Sequence, residues 1–260
     1  DVCTWENFIQ TGSSSTDSVI SQRVESQKPG QCLSLIYTSG TTGNPKAVMI
    51  SHDNVGFVCQ VIREDFNLGE GDRIVSFLPL SHIAAQMIDI FASSLLGMTV
   101  YYARPDALKG SLVNTLREAR PTVFVTVPRV FEKMAESVSA KLSSATGIKR
   151  WIASFCRRRG IIHMNNIQVG SRKQSLWFYG LARKLLLDKV KATLGLDAAK
   201  ILFSAAAPID LSTLQFFASF DIPVFEIFGM SESTGPVTFH TVGQWRIGTT
   251  GRAMRGSIVK

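Results

Sequence analysis

Tyr37-Thr38-Ser39-Gly40-Thr41-Thr42-Gly43-Asn44-Pro45-Lys46 is the stretch on which the reading of this 260-residue chain turns. Between positions 38 and 46 it holds four hydroxyl residues, two glycines and one lysine. Glycines let a backbone curl closely around an anion and point its N–H groups inward. Hydroxyls add neutral donors, and Lys46 adds a mobile positive charge. These are the parts needed to hold a polyphosphate. The pattern is not G-x-x-x-x-G-K-[ST], because Lys46 stands between Pro45 and Ala47, so a P-loop NTPase is disfavoured.

Working outward, Cys32–Thr38 is a short apolar run that reads as a strand entering this loop. Ser51-His52-Asp53-Asn54 then offers helix N-caps before an apolar-periodic stretch reaching about Arg63. Further strands are expected at 73–78, 99–103, 122–127, 200–204 and 223–227. Helices are expected at 82–96, 108–119, 130–143, 176–194 and 211–220, with Pro128 in the first turn of the third. The alternation predicts an α/β fold of mostly parallel sheets with helices on both faces. Ligands bind such sheets beyond the carboxyl ends of strands, and polar loops follow Ile36, Phe203 and Ile227.

Hydrophobic residues make up 45% and charged residues 18%, a globular balance rather than a disordered one. The most apolar stretch, residues 83–102, is broken by Gln86, Asp89, Ser93, Ser94 and Gly97, so it suits a buried helix and strand rather than a membrane span. Cys3, Cys32, Cys59 and Cys156 form no CxxC pair and read as reduced thiols of a cytoplasmic protein. Residues 11–30 are polar and read as a linker, giving an N-terminal segment 1–30 before a domain at 31–260. A start at Asp1 makes the chain read as a fragment. The net charge is +8, and much of the excess lies in region 149–191. Such a stretch can meet nucleic acid, anionic lipid or an anionic ligand, or be simply a solvated helical face, and peripheral membrane contact through it is one expectation. No nucleic-acid-binding signature is present, so no nucleic-acid partner is expected.

The loop resembles the signature loop of the adenylate-forming superfamily, which includes acyl-CoA synthetases, luciferases and nonribosomal adenylation domains. Val48-Met49-Ile50-Ser51-His52-Asp53-Asn54 extends the match. Leu78-Pro79-Leu80-Ser81-His82-Ile83-Ala84-Ala85-Gln86 and Asp106-Ala107-Leu108-Lys109-Gly110-Ser111-Leu112-Val113 are most similar to the bubblegum type of long-chain acyl-CoA synthetase. The resemblance runs from about 31 to 260 and implies a partial large N-terminal domain, without the C-terminal domain. It implies that Thr38, Ser39, Gly40, Thr41, Thr42, Gly43, Asn44, Pro45 and Lys46 hold the β- and γ-phosphates of ATP. The usual glycine after the lysine is Ala47 here, which would resist a left-handed backbone.

Ile227-Phe228-Gly229-Met230-Ser231-Glu232-Ser233 is similar to the family's second motif. The resemblance implies that Phe228 stacks on adenine, Ser231 contacts the α-phosphate or the substrate carboxylate, and Glu232 holds Mg²⁺. A hard cation takes carboxylate and phosphate oxygens together. Read alone, Glu232 is an ordinary surface carboxylate. Ala205-Ala206-Ala207-Pro208 resembles the small-residue loop against adenine and the acyl pocket, and is also a plain helix N-terminus. His82 lies near the adenylate in relatives, while a lone histidine is also a common structural residue. Gln86 falls where some relatives carry a tryptophan gate. Met87, Ile90 and Phe91 suit either an acyl tunnel or a packed core. Residues 248–260 resemble the family's later glycine-bearing turn and strand.

The implied reaction is a fatty acid–CoA ligation with ATP, Mg²⁺ and coenzyme A, through acyl-AMP. Two alternatives stand beside it. One is activation of another carboxylate, although no acidic residue offers itself for an amino-acid ammonium. The other is a non-catalytic nucleotide- or lipid-binding protein.

Overall fold

The computed structural model describes residues 3–38, 43–171 and 173–260. Two short helices, α1 (Trp5–Thr11) and α2 (Asp17–Glu25), come first and bury no residue. The linker expected at 11–30 is therefore partly helical. Thr16 at the N-cap position and Asp17 in the first turn suit a helix start there.

β1 (Cys32–Thr38) does not simply enter a loop. It returns as β2 (Lys46–Ser51), an antiparallel partner in which Tyr37 faces Ala47 and Thr38 faces Lys46. A continuous apolar run such as Ala47-Val48-Met49-Ile50 carries no period, which hid this strand in the sequence. Ser51 then starts α3 (His52–Phe66) with a reciprocal cap. Its hydroxyl accepts from Asn54 N–H at 3.1 Å, and the Asn54 side chain accepts from Ser51 N–H at 3.1 Å.

β3 (Arg73–Ser76) pairs in parallel with β4 (Thr99–Tyr102). Between them run α4 (Ile83–Ala85), a wider π-helical stretch Gln86–Ala92, and α5 (Ser93–Leu96). α6 (Leu112–Ala119) and β5 (Val123–Thr126) lead to α7 (Pro128–Ser143), with Pro128 at its start as expected. α8 (Gly147–Ile167) was not expected from the sequence. Its buried face holds only Cys156, Gly160 and Met164, too narrow and too interrupted by Arg157-Arg158-Arg159 to announce a period. Gly160 allows close approach to the next layer: a Cβ there would stand 3.0 Å from the Ser219 carbonyl carbon. α9 (Tyr179–Ala182) and α10 (Asp188–Leu194) flank a second π stretch, Arg183–Leu187. β6 (Ile201–Ser204), α11 (Leu211–Ser219), β7 (Phe225–Met230), β8 (Gly235–Phe239) and β9 (Arg252–Ala253) complete the chain.

The main sheet runs β5-β6-β7-β8-β9. β5, β6 and β7 are parallel, while β7–β8 and β8–β9 are antiparallel. β3 lies beside β5, joined through Thr122 N–H to Arg73 C=O and Arg73 N–H to the Thr122 hydroxyl, both 2.9 Å. The α/β class stands, but "mostly parallel" becomes mixed: the described strand pairs are half parallel and half antiparallel. The reason is that β7 ends in a tight turn rather than a helical crossover, and a tight turn reverses the chain.

Successive residues of the central strands feed two separate cores. Val123, Ile201, Phe203 and Phe225 face one, with α3 residues Val55, Val58 and Ile62. Phe124, Leu202 and Val224 face the other, with Leu116, Phe131 and Phe217 from the helices. This is the two-residue period of a sheet covered on both faces. No helix among the described residues is long and apolar enough to cross a membrane.

Candidate active site

On the α3 side of the sheet lies a cavity of about 830 Å³. β2 brings Lys46 to its wall, with Thr38 across the hairpin. β2 also packs against the turn Ser231–Ser233, which carries Ser231 and Glu232 to the same wall. His82, Ala205, Ala206, Ile227, Gly229 and Met230 also line it. Glu232 is the one carboxylate on the wall among the described residues. The other side is apolar, with Ile62, Phe66, Met87, Ile88, Val125 and Phe203.

The Glu232 turn is built by its neighbours. The Ser233 hydroxyl donates to Gly235 C=O at 2.8 Å and accepts from Met230 N–H at 3.3 Å. Thr234 takes a left-handed φ of 61° and is buried. Gly229 must be glycine, because a Cβ would meet the Gly235 carbonyl, with its carbon 2.7 Å away. Ser233 and Thr234 are scaffold residues that motif reading did not assign. His82 caps α4: its Nδ1 accepts from Ala84 N–H at 3.2 Å, which leaves Nε2 available to a ligand. One residue before the motif, burial pushes the Glu226 carboxyl above its ordinary pKa, against a hydrogen bond from the Gly248 backbone. His240, after β8, is lowered by burial, and its Nε2 lies 2.6 Å from Thr249 C=O.

The sequence-expected residues divide as follows. Thr38, Lys46, His82, Ala206, Ile227, Gly229, Met230, Ser231 and Glu232 all line this one cavity. Gly43, Asn44 and Pro45 are exposed in the hairpin loop and do not line it, nor do Ala207 and Pro208. Ser39, Gly40, Thr41 and Thr42 lie outside the described residues. Phe228 of β7, beside a bulge at Gly229, is not on the cavity lining and is half exposed. Gln86 accepts from the Ser34 hydroxyl at 3.1 Å, off the wall, while Met87 and Ile88 beside it line the cavity. Ile90 is exposed, and Phe91 packs against the core. Ala47 is extended within β2, so no left-handed backbone is asked of it.

A cavity with a cation, hydroxyls and one carboxylate at one side and hydrocarbon at the other suits an amphiphilic acid beside a polyphosphate. The chain is 45% identical over 261 residues to long-chain-fatty-acid–CoA ligase ACSBG2 of Xenopus laevis, covering 99% of this chain and 35% of that protein. It is 42% identical to the Homo sapiens ACSBG2, covering 97% and 38%. With ACSBG1 of Rattus norvegicus the identity is 36%, covering 100% and 36%. The chain thus spans about a third of the length of the curated relatives it matches. Among solved structures, a malonyl-CoA ligase complex with methylmalonyl-CoA and AMP superposes with a TM-score of 0.61 at 20% identity, covering 87% of this chain and 39% of that one. O-succinylbenzoate coenzyme A synthetase from Bacillus subtilis, in complex with AMP, gives 0.58 at 18%, covering 87% and 45%. At these identities the structures establish the fold. The model of the AMP-binding enzyme family matches residues 3–260, taking in the residues before 31 as well, and the chain belongs to that family.

Proposed function

We propose that this chain is the ATP- and acyl-binding core of a long-chain fatty acid–CoA ligase. The carrying observation is the single cavity that joins Lys46, Ser231, Glu232 and His82 to an apolar wall. In the first step a fatty carboxylate oxygen attacks the α-phosphorus of ATP. The new O–P bond forms as the bond to pyrophosphate breaks. In the second, the CoA sulfur attacks the acyl carbonyl and AMP leaves.

The protein's part in the first step is positioning and charge stabilisation. Thr38 and Lys46 hold the leaving phosphates from β1 and β2. Ser231 donates toward the reacting phosphate or carboxylate. Ile62, Phe66 and Met87 keep water from the acyl chain. Glu232 fits Mg²⁺: it is an exposed carboxylate lining the cavity with Lys46 and Ser231, where phosphate oxygens would complete the oxygen set a hard cation takes. When bound, the cation neutralises charge across the phosphates.

The test is pyrophosphate release from ATP and Mg²⁺, with and without palmitate, in the full-length protein, followed by addition of CoA. Palmitate-dependent release is expected, with acyl-CoA forming on CoA addition. Glu232→Gln is expected to slow release about a hundredfold while thermal unfolding stays unchanged. Absence of palmitate dependence, or an equal loss of fold in the variant, overturns the reading.

A further inference from the structure

Between Glu136 and Asp188 the chain holds ten Lys and Arg and no Asp or Glu. The structure sorts the cations of this region by direction. Arg157 turns inward: it donates to the Ser219 hydroxyl at 3.0 Å and lies over the Phe216 and Phe220 rings. Lys191 is bound to Asp221 at 2.8 Å, and Arg183 to Asp188 at 3.2 Å. Lys149, Arg150, Arg158, Lys173 and Lys184 are exposed and make no ion pair among the described residues.

Large apolar side chains share that exposure. On α8, Ile148 is 77%, Trp151 69% and Ile161 40% exposed. With Ser154, Arg158 and Asn165 they recur at three- and four-residue steps, so they form one stripe along the helix. The chain then turns back toward the last turns of α8. Asn166 donates to Gln174 C=O at 2.8 Å and accepts from Gln174 N–H at 2.6 Å. Gln174 lines an open groove of about 400 Å³ together with Ser154, Arg158, Ile161 and Asn165 of that stripe. Three and four residues on, Trp177 and Phe178 are 73% and 61% exposed.

We infer that α8 and the segment 173–181 form a docking surface for an anionic lipid bilayer. Exposed tryptophans interleaved with cations are suited to the headgroup layer: the rings enter the interface and the long cationic side chains meet lipid phosphates. The acid-free run supplies the charge complementarity. Aliphatic Ile148, Ile161 and Leu181 beside the aromatics favour hydrocarbon over nucleic-acid bases, which stack on rings but gain nothing from isoleucine. This surface is independent of the proposed ligase chemistry and is tested without ATP or acyl substrate.

The experiment is vesicle flotation of the chain carrying Trp5→Phe, with tryptophan emission read in parallel. The two exposed tryptophans left are Trp151 and Trp177, because Trp245 is buried. With phosphatidylcholine vesicles containing a third phosphatidylserine, flotation and a blue shift are expected, both reversed by 0.5 M NaCl. Trp151→Ser with Trp177→Ser is expected to weaken partition at least tenfold, and so is Lys149→Glu with Arg158→Glu. All four sites are exposed, so the fold tolerates the changes. Binding that ignores salt and both double variants overturns the inference. So does concentration-dependent self-association abolished by Trp177→Ser, which would make a second copy the occupant. Oligonucleotide binding lost in the same variants, without vesicle binding, overturns it as well.

Discussion

Ala206 holds a φ of +72°, a left-handed backbone that costs a non-glycine residue roughly 1–2 kcal/mol. It lines the cavity just beyond the end of β6, and such outliers collect at sites where backbone must approach a ligand. Alanine is the smallest residue that still pays this conformational cost. Ala206→Gly is therefore expected to leave the denaturation midpoint unchanged or raised. Ala206→Val, β-branched and worse in this region, is expected to lower stability by about 1–2 kcal/mol. Urea unfolding of the three proteins checks both. The sequence showed three small residues before Pro208 and the resemblance gave them a role, but no pattern of side chains reveals the sign of a φ angle. Ala47 makes the opposite point. The missing glycine looked like a defect only until β2 proved to hold that position extended.

At the scale of elements, Asp221 ties three helices to the start of β7. Its carboxylate lies 2.5 Å from His163 Nδ1 of α8, accepts from the Tyr179 hydroxyl of α9 at 2.9 Å, and accepts from Lys191 of α10 at 2.8 Å. Burial pushes its pKa up, but the bonds from His163 and Lys191 outweigh burial and hold it below the ordinary 3.8. Burial and the Asp221 charge raise the Tyr179 phenol, which stays protonated and donates. A lowered folded-state pKa means stability that is complete above pH 3.8 and lost as pH falls through the folded value. Asp221→Asn, which tolerates the φ of 61° there, is expected to cost about 3 kcal/mol at pH 7. Chemical denaturation at pH 7 and again near pH 2 checks this, with the gap between the two proteins closing at the lower pH. None of these partners was legible in the sequence. His163 and Asp221 are 58 positions apart, and α8 itself was missed. Long amphipathic or β-branched elements were readable: α7 and α11 stand close to their expected positions because each repeats a helical period, and β5 because it is a β-branched apolar run.

Across the whole molecule, one face of the sheet and α3 supply apolar residues to the cavity, and the strand ends and β2 supply its polar ones. Filling the first without touching the second is expected to separate the two ligands. Ile88→Trp should weaken binding of a fluorescent long-chain fatty acid at least tenfold and leave ATP affinity within twofold. Displacement titrations of each ligand check it. The polar half of this cavity was legible because two motifs carry it. The apolar half was not, because Ile62, Phe66 and Phe203 look like any core residues until the space beside them is seen. Lys46 and Glu232 line one cavity although 186 positions separate them in the chain. Contacts of such sequence separation form only after the intervening loops have been closed, and they set a slow pace for folding. Nucleotide affinity should therefore be the last property to return during refolding, after helix and sheet signals have recovered. A bound nucleotide then reports that the entire chain between those two residues has reached its native register.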